Sequence, residues 1–77
     1  MISVGQKGVM SYVLAIQTIH KEQDTASLQA RGNNCLRAIE AALLYERMYN
    51  GSITSVTLFT DKVSKGYTPL ITIEVKK

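Results

Sequence analysis

Two short segments of the 77-residue chain place glycines and a cation directly before an apolar pattern of helical period. Residues 5–13 read GQKGVMSYV, and residues 29–34 read QARGNN. A helix N-terminus presents unpaired backbone N–H groups and the positive end of the helix dipole. With Lys7 or Arg31 beside it, such a terminus becomes a small phosphate-binding site. Two such segments in so short a chain predict a protein that binds a repeating polyanion.

Length and composition allow one domain, residues 1–77, with a small core. Cys35 is the only cysteine and His20 the only histidine, which excludes a disulfide within the chain and a Cys/His zinc site. Nine Lys and Arg against six Asp and Glu give a net charge of +3, a modest excess that favours polyanions. The sequence shows neither a signal-peptide pattern nor an apolar run of about 18 residues. We therefore expect a cytoplasmic protein without membrane contact.

Catalytic patterns are missing from the sequence. There is no pair of carboxylates within one loop, no nucleophile set around the single histidine, and no P-loop pattern. We expect no enzyme activity, no cofactor, no metal and no small-molecule substrate.

The apolar periods predict six secondary-structure elements. Strands are expected at residues 2–4, 25–30, 53–59 and 70–76, and helices at residues 9–20 and 35–49. Asn33 or Asn34 is expected to cap the second helix, and Asn50-Gly51 to end it. Residues 61–68 are expected to form a hairpin arm. The order β-α-β-α-β-β predicts an α/β fold, a two-layer sandwich in which two helices cover a mixed four-stranded sheet.

This order would gather cations that are far apart in the sequence. Strands joined through a helix are usually parallel with a right-handed crossover, so the carboxyl ends of the first three strands would share one edge of the sheet. The loop with Lys7, the turn with Arg31 and the arm with Lys62 and Lys65 would then meet there, with Arg37 close by.

The second helix is apolar around most of its circumference, and such a helix is usually covered on more than one side. A homodimer interface that includes Leu43, Leu44 and Tyr45 would explain this. The alternative is tight packing of the helix alanines against the neighbouring helix.

Three segments resemble the Alba family. Residues 5–15 resemble its opening Gly-Lys-Lys-Pro-Val-Met-Asn-Tyr-Val, residues 29–32 its Lys-Ala-Arg-Gly turn, and residues 70–75 its final Ser-Thr-Ile-Glu-Ile strand. The three together span most of the chain in the family's order. The resemblance implies a dimeric α/β protein associated with chromatin or RNA in archaea, with RNA-binding relatives in eukaryotes.

By this resemblance Lys7 and Arg31 lie on the nucleic-acid surface, and hairpin arms reach into the minor groove. Tyr49 falls at a position where neighbouring dimers associate along DNA, or is simply a helix-end surface residue. The chain also departs from the family pattern by having fewer basic residues and a looser first loop. The departures are Gln6, Gly8, Gln29, Asn33 and Glu46.

The resulting hypothesis is a homodimer that binds DNA through phosphates, with little sequence preference, and contributes to chromosome architecture. The expected contact residues are Lys7, Arg31, Arg37, Lys62, Lys65, Gln6, Asn33 and Tyr67. Arg37 could instead pair with Glu40, Tyr67 could pack on its own hairpin, and the arm lysines could serve solubility. Cys35 is expected to be a small buried hydrophobe and His20 a polar residue at a helix end. An RNA-binding ribonucleoprotein subunit and a protein-interaction module are the alternative functions.

Overall fold

The computed structural model describes all 77 residues, Met1–Lys77, and confirms the predicted order of elements. The strands and helices are β1 (Ile2–Ser3), α1 (Val9–His20), β2 (Thr25–Arg31), α2 (Asn34–Tyr49), β3 (Ser52–Val63) and β4 (Gly66–Lys76). The hairpin arm is the continuation of β3 and β4, which a two-residue turn, Ser64-Lys65, connects. Neither helix is long and apolar enough to cross a membrane.

The four strands form one mixed sheet in the order β1-β2-β4-β3. β1 is parallel to β2, and β4 is antiparallel to both β2 and β3. The first three strands therefore run in the same direction, as predicted, and their carboxyl ends lie at one edge of the sheet. We call this edge the carboxyl edge.

Buried and more exposed residues alternate along β2 and β4, and this alternation explains where the core lies. Buried residues of β2 stand opposite buried residues of β4, as in the pairs Leu28–Ile73 and Ala30–Ile71, while the residues between them face the other side of the sheet. On α2, Ala38, Ala41 and Ala42 are fully buried. Alanines at these positions allow close packing of α2, whereas the larger residues Leu36, Ile39, Leu43 and Met48 remain exposed.

His20 is the last residue of α1, as expected, but its side chain is buried, with 3% exposed. Its Nε2 lies 2.9 Å from the carbonyl oxygen of Val75, which only an N–H donor can satisfy. An unprotonated Nδ1 accepts from the hydroxyl of Tyr45, 2.6 Å away. The two rings also meet edge to face, with centroids 5.1 Å apart.

Tyr45 therefore belongs to the core of the single chain, and its assignment to a dimer interface is wrong. It is 4% exposed, and its ring stacks on Tyr49 with centroids 5.0 Å apart. Gly51 also lies against Tyr45, because an added Cβ there would be only 2.7 Å from the Tyr45 ring. The predicted helix end is confirmed, with Asn50 in the left-handed conformation at φ 57°.

Burial raises the pKa of the Tyr45 phenol above its ordinary value of 10.0, and Tyr49 adds a smaller Coulombic effect in the same direction. Since this pKa is higher in the folded than in the unfolded chain, the associated stability is complete below pH 10.0 and is lost as pH rises through the folded-state pKa. We expect the free energy of unfolding, measured in urea, to fall as pH rises above 10.0. The fall should shrink in Tyr45→Phe and persist in Tyr67→Phe. Stability that stays constant over this range would contradict the assignment.

Candidate nucleic-acid interface

The loop between β1 and α1, residues 5–8, is held in place by a buried tyrosine. The backbone N–H groups of Gly5 and Lys7 donate to the Tyr12 hydroxyl oxygen at 2.7 and 3.2 Å. Side chains on a helix lean toward its N-terminus, so Tyr12, on the first turn of α1, can reach back to the loop. The loop is thereby fixed, and the Lys7 side chain is exposed on it. The spacing of residues in this segment does not predict these contacts of Tyr12.

Arg37 connects this loop to the start of α2. Its guanidinium Nη1 donates to the carbonyl oxygen of Gly5 at 2.8 Å, and the side chain is half-buried. The alternative pairing of Arg37 with Glu40 is not formed. The contact brings the loop that carries Lys7 against the helix that follows Arg31, so both cations lie at the carboxyl edge.

The turn between β2 and α2 is fixed to the sheet by glycine. Gly32 has φ +62°, in the left-handed region that favours glycine, and its N–H donates to the carbonyl oxygen of Pro69 at 2.8 Å. Asn33 occupies the N-cap position, as predicted, but its exposed side chain makes no capping hydrogen bond. The first turn of α2 contains no acidic residue. The positive end of the α2 dipole is therefore uncompensated where it faces the turn.

A shallow depression of about 320 Å³ lies at this end of the sheet. It is bounded by the ends of β1 and β2, the start of α2 and one residue of β4. Its lining residues are Ser3, Val4, Gln29, Ala30, Arg31, Asn34 and Leu70.

The hairpin arm projects beyond the carboxyl edge. Arg31, the last residue of β2, pairs with Leu70, which pairs with Phe59, and four further residue pairs of β3 and β4 continue past that point. At about 3.3 Å per residue the arm extends about 13 Å. Lys65 lies in the turn at its tip, and Lys62 is exposed opposite Tyr67.

Tyr67 does not pack on its own hairpin. Its side chain is 72% exposed. The ring is therefore accessible on the arm, where Tyr67 pairs with Lys62.

Arg31 forms an ion pair that the sequence did not predict. Its Nη1 lies 2.8 Å from Oδ2 of Asp61, and both side chains are about half exposed. This is the only ion pair within the chain. The exposed cations of this edge thus include one, Arg31, that already contacts a carboxylate. We call the cations Lys7, Arg31, Lys62 and Lys65 together the basic rim, and the uncharged Asn33 is exposed two residues after Arg31. Gln6 is exposed on the same loop as Lys7.

The residues expected at a dimer interface are not gathered on one surface. Leu43 is 49% exposed and Tyr49 is 37% exposed. Leu44 is half-buried and packs against the core of its own chain, so it contributes less free surface than expected. Cys35 is also half-buried, and its thiol contacts the carbonyl oxygen of Pro69 at 3.6 Å, in agreement with a packing role.

The architecture defines a small two-layer α/β protein in which two loops, a helix start and a hairpin arm all open at one edge of the sheet. The same architecture is found in Alba from Thermoplasma volcanium, with a TM-score of 0.84 and 23% sequence identity over 99% of this chain and 98% of that one. It is also found in ALBA1 from Trypanosoma brucei, with a TM-score of 0.82 and 18% identity over 99% of this chain and 67% of that one. The chain thus has the Alba fold, as the resemblance of its sequence implied. No protein-family model and no curated protein matches the sequence.

Proposed function

We propose that this chain binds duplex DNA through its phosphates, without reading base sequence, by means of the basic rim. The observation that carries the proposal is the meeting of three separate chain segments at the carboxyl edge. Each brings at least one exposed cation, and the start of α2 between them has no acidic residue. Phosphate oxygens are the ligands that such an arrangement favours.

The position of the cations argues against base readout. Sequence is usually read by side chains of a helix or ribbon that enters the major groove, whereas phosphate contacts come from loops, helix N-termini and extended arms. Here Lys7 lies on a loop, Arg31 at the end of a strand, and Lys62 and Lys65 on the arm. The arm is long enough to follow a groove while the loops contact the backbone beside it.

A homodimer completes the proposal, with an interface different from the one expected. We define the α2–β3 surface by Ile39, Leu43, Val56 and Leu58, which are 36%, 49%, 53% and 71% exposed. Val56 and Leu58 pair with the buried residues Ile73 and Ile71 and so face the helix layer, but no helix covers them.

Ile39 and Leu43 lie on the side of α2 that faces β3. Ile39 follows Cys35 by one turn and precedes Glu46 by two turns. Cys35 contacts β4, and Glu46 accepts a hydrogen bond from the Ile53 N–H at 3.2 Å at the start of β3. The exposed apolar residues of α2 and those of β3 are therefore neighbours.

A second copy of the chain is the occupant that suits this surface. β3 lies at the edge of the sheet, where 12 residues offer a row of backbone groups without a strand partner. A long apolar edge strand of this kind is normally covered, and a two-fold dimer covers the same surface on both copies. Such a dimer would carry two basic rims.

The test is a titration of labelled duplex DNA at several salt concentrations, followed by fluorescence anisotropy. If the two rims together neutralise about six to eight phosphates, the slope of log K against log salt should be about −5 to −7. A flat salt response would overturn the proposal and leave protein interaction through the α2–β3 surface as the remaining function. Competition with a structured RNA at one salt concentration distinguishes the nucleic acids: preferential binding of RNA would point to a ribonucleoprotein subunit, and preference for DNA to a role on the chromosome.

A further inference from the structure

The Arg31–Asp61 ion pair sits inside the proposed phosphate surface. Its 2.8 Å contact joins the last residue of β2 to the base of the hairpin arm on β3. Arg31 lies in register with Phe59 across β4, and Asp61 follows Phe59 by two residues, so both side chains project from the same face of the sheet. The pair therefore crosses β4 diagonally at the point where the arm leaves the sheet.

We propose that Asp61 competes with phosphate for Arg31 and thereby limits the affinity of the basic rim for nucleic acid. This inference rests on the proposed function. A carboxylate and a phosphate present the same kind of oxygen acceptors to a guanidinium. In the free protein the Asp61 carboxylate occupies this position, and a bound phosphate must displace it.

Exposure makes the pair exchangeable. The side chains of Arg31 and Asp61 are 53% and 48% exposed, so the ion pair is screened by solvent and breaks at small cost. No second carboxylate lies within ion-pair distance of Arg31, and no other cation lies within that distance of Asp61. The competition is thus confined to one guanidinium, and it lowers the affinity for DNA without abolishing binding.

The competition also connects the arm to the phosphate site. The Arg31–Asp61 ion pair connects the base of the arm to the end of β2. When Arg31 binds phosphate instead, this connection is lost. The Asp61 carboxylate remains close to the bound anion and repels it. Both effects oppose binding, and both depend on the same carboxylate.

The variant Asp61→Asn removes the competitor and keeps the size of the side chain. We expect its dissociation constant for duplex DNA to fall about two- to fivefold for each protomer that contacts the DNA, the range that corresponds to an exposed ion pair. The slope of log K against log salt should also steepen by about 0.9 for each Arg31 that becomes free to neutralise a phosphate. Anisotropy titrations at several salt concentrations measure both quantities.

Asp24→Asn is the matched control. Asp24 is exposed and immediately precedes β2, at the edge of the sheet opposite Arg31, and its replacement changes net charge by the same amount. Arg31→Ala and the Arg31→Ala/Asp61→Asn double variant complete a cycle. If Asp61 acts through Arg31, Asp61→Asn should raise the affinity for DNA in the natural chain. In the Arg31→Ala background, Asp61→Asn should raise that affinity no more than Asp24→Asn does.

The outcomes separate this inference from the proposed function. If neither the natural chain nor Asp61→Asn binds nucleic acid with a salt-dependent affinity, the proposed function fails. If the natural chain binds but Asp61→Asn gains no more than Asp24→Asn, the competition is refuted. Weaker binding by a folded Asp61→Asn variant would also refute it, because Asp61 would then be a support of the arm. Circular dichroism and thermal melting establish that each variant is folded.

Discussion

Replacing Lys7 and Arg31 together by alanine is expected to weaken duplex DNA binding at least about thirtyfold, as measured by anisotropy at one fixed salt concentration. Each side chain is expected to contribute about 1 to 2 kcal/mol through a charge-assisted hydrogen bond to phosphate, and 1.4 kcal/mol corresponds to about a factor of ten. The loss of Arg31 also leaves Asp61 without its counterion beside the phosphate. Both side chains are exposed, so the melting temperature should change little.

The matched control for this variant is Lys21→Ala/Lys76→Ala, which removes the same charge from the opposite edge of the sheet. Lys21 follows the end of α1, and Lys76 pairs with Thr25 at the start of β2. The control should lose several-fold less affinity than the rim variant. Equal losses in the two variants would show that only net charge matters and would remove the basic rim as a defined site.

The variant Leu58→Glu is expected to convert a dimer into a monomer. Leu58 is 71% exposed in the single chain but faces the helix side of the sheet, where the second copy is proposed to lie. An unpaired charge in such an interface costs about 3 to 5 kcal/mol, which raises the dimer dissociation constant more than about a hundredfold. Size-exclusion chromatography with light scattering should show half the mass of the natural protein.

Leu14→Glu provides the comparison for the dimer. Leu14 is 50% exposed on α1. This helix packs over β1 and β2, the strands at the end of the strand order opposite β3. This variant should keep the mass of the natural protein. A natural chain that is monomeric at the same concentration, or loss of the dimer in Leu14→Glu alone, would contradict the proposed interface.

The positions of the loops could be predicted from the sequence because they follow from chain order. Two helices between short strands imply parallel strands, and parallel strands place the loops after them at one edge. The Lys7 loop and the Arg31 turn therefore met as expected. The end of α2 at Asn50 was also predictable, since it depends on residues that are adjacent in sequence.

Contacts between distant residues could not be predicted in the same way. The Arg31–Asp61 pair depends on the register of β3 against β4, which local patterns do not determine. The His20–Tyr45 hydrogen bond joins residues 25 positions apart. The assignment of Tyr45 to an interface failed because a helix that is apolar on most sides has no periodicity that indicates its inner face. In α2 that face consists of alanines, and Tyr45 lies among them.

The β3–β4 ladder has a bulge between Ile53 and Ser55, but from the Ser55–Glu74 pair to the tip its register is regular, so the arm is a direct continuation of the sheet. The direction of the arm therefore follows from the twist of the sheet. A change in the packing beneath Ile71 would reorient the tip. Adding one residue to each strand would lengthen the arm by about 3.3 Å and exchange the faces that its side chains present. The length of the arm and the faces of its side chains therefore change together with each added residue pair. Only an addition of two pairs would lengthen the arm and leave the tip lysine on its original face.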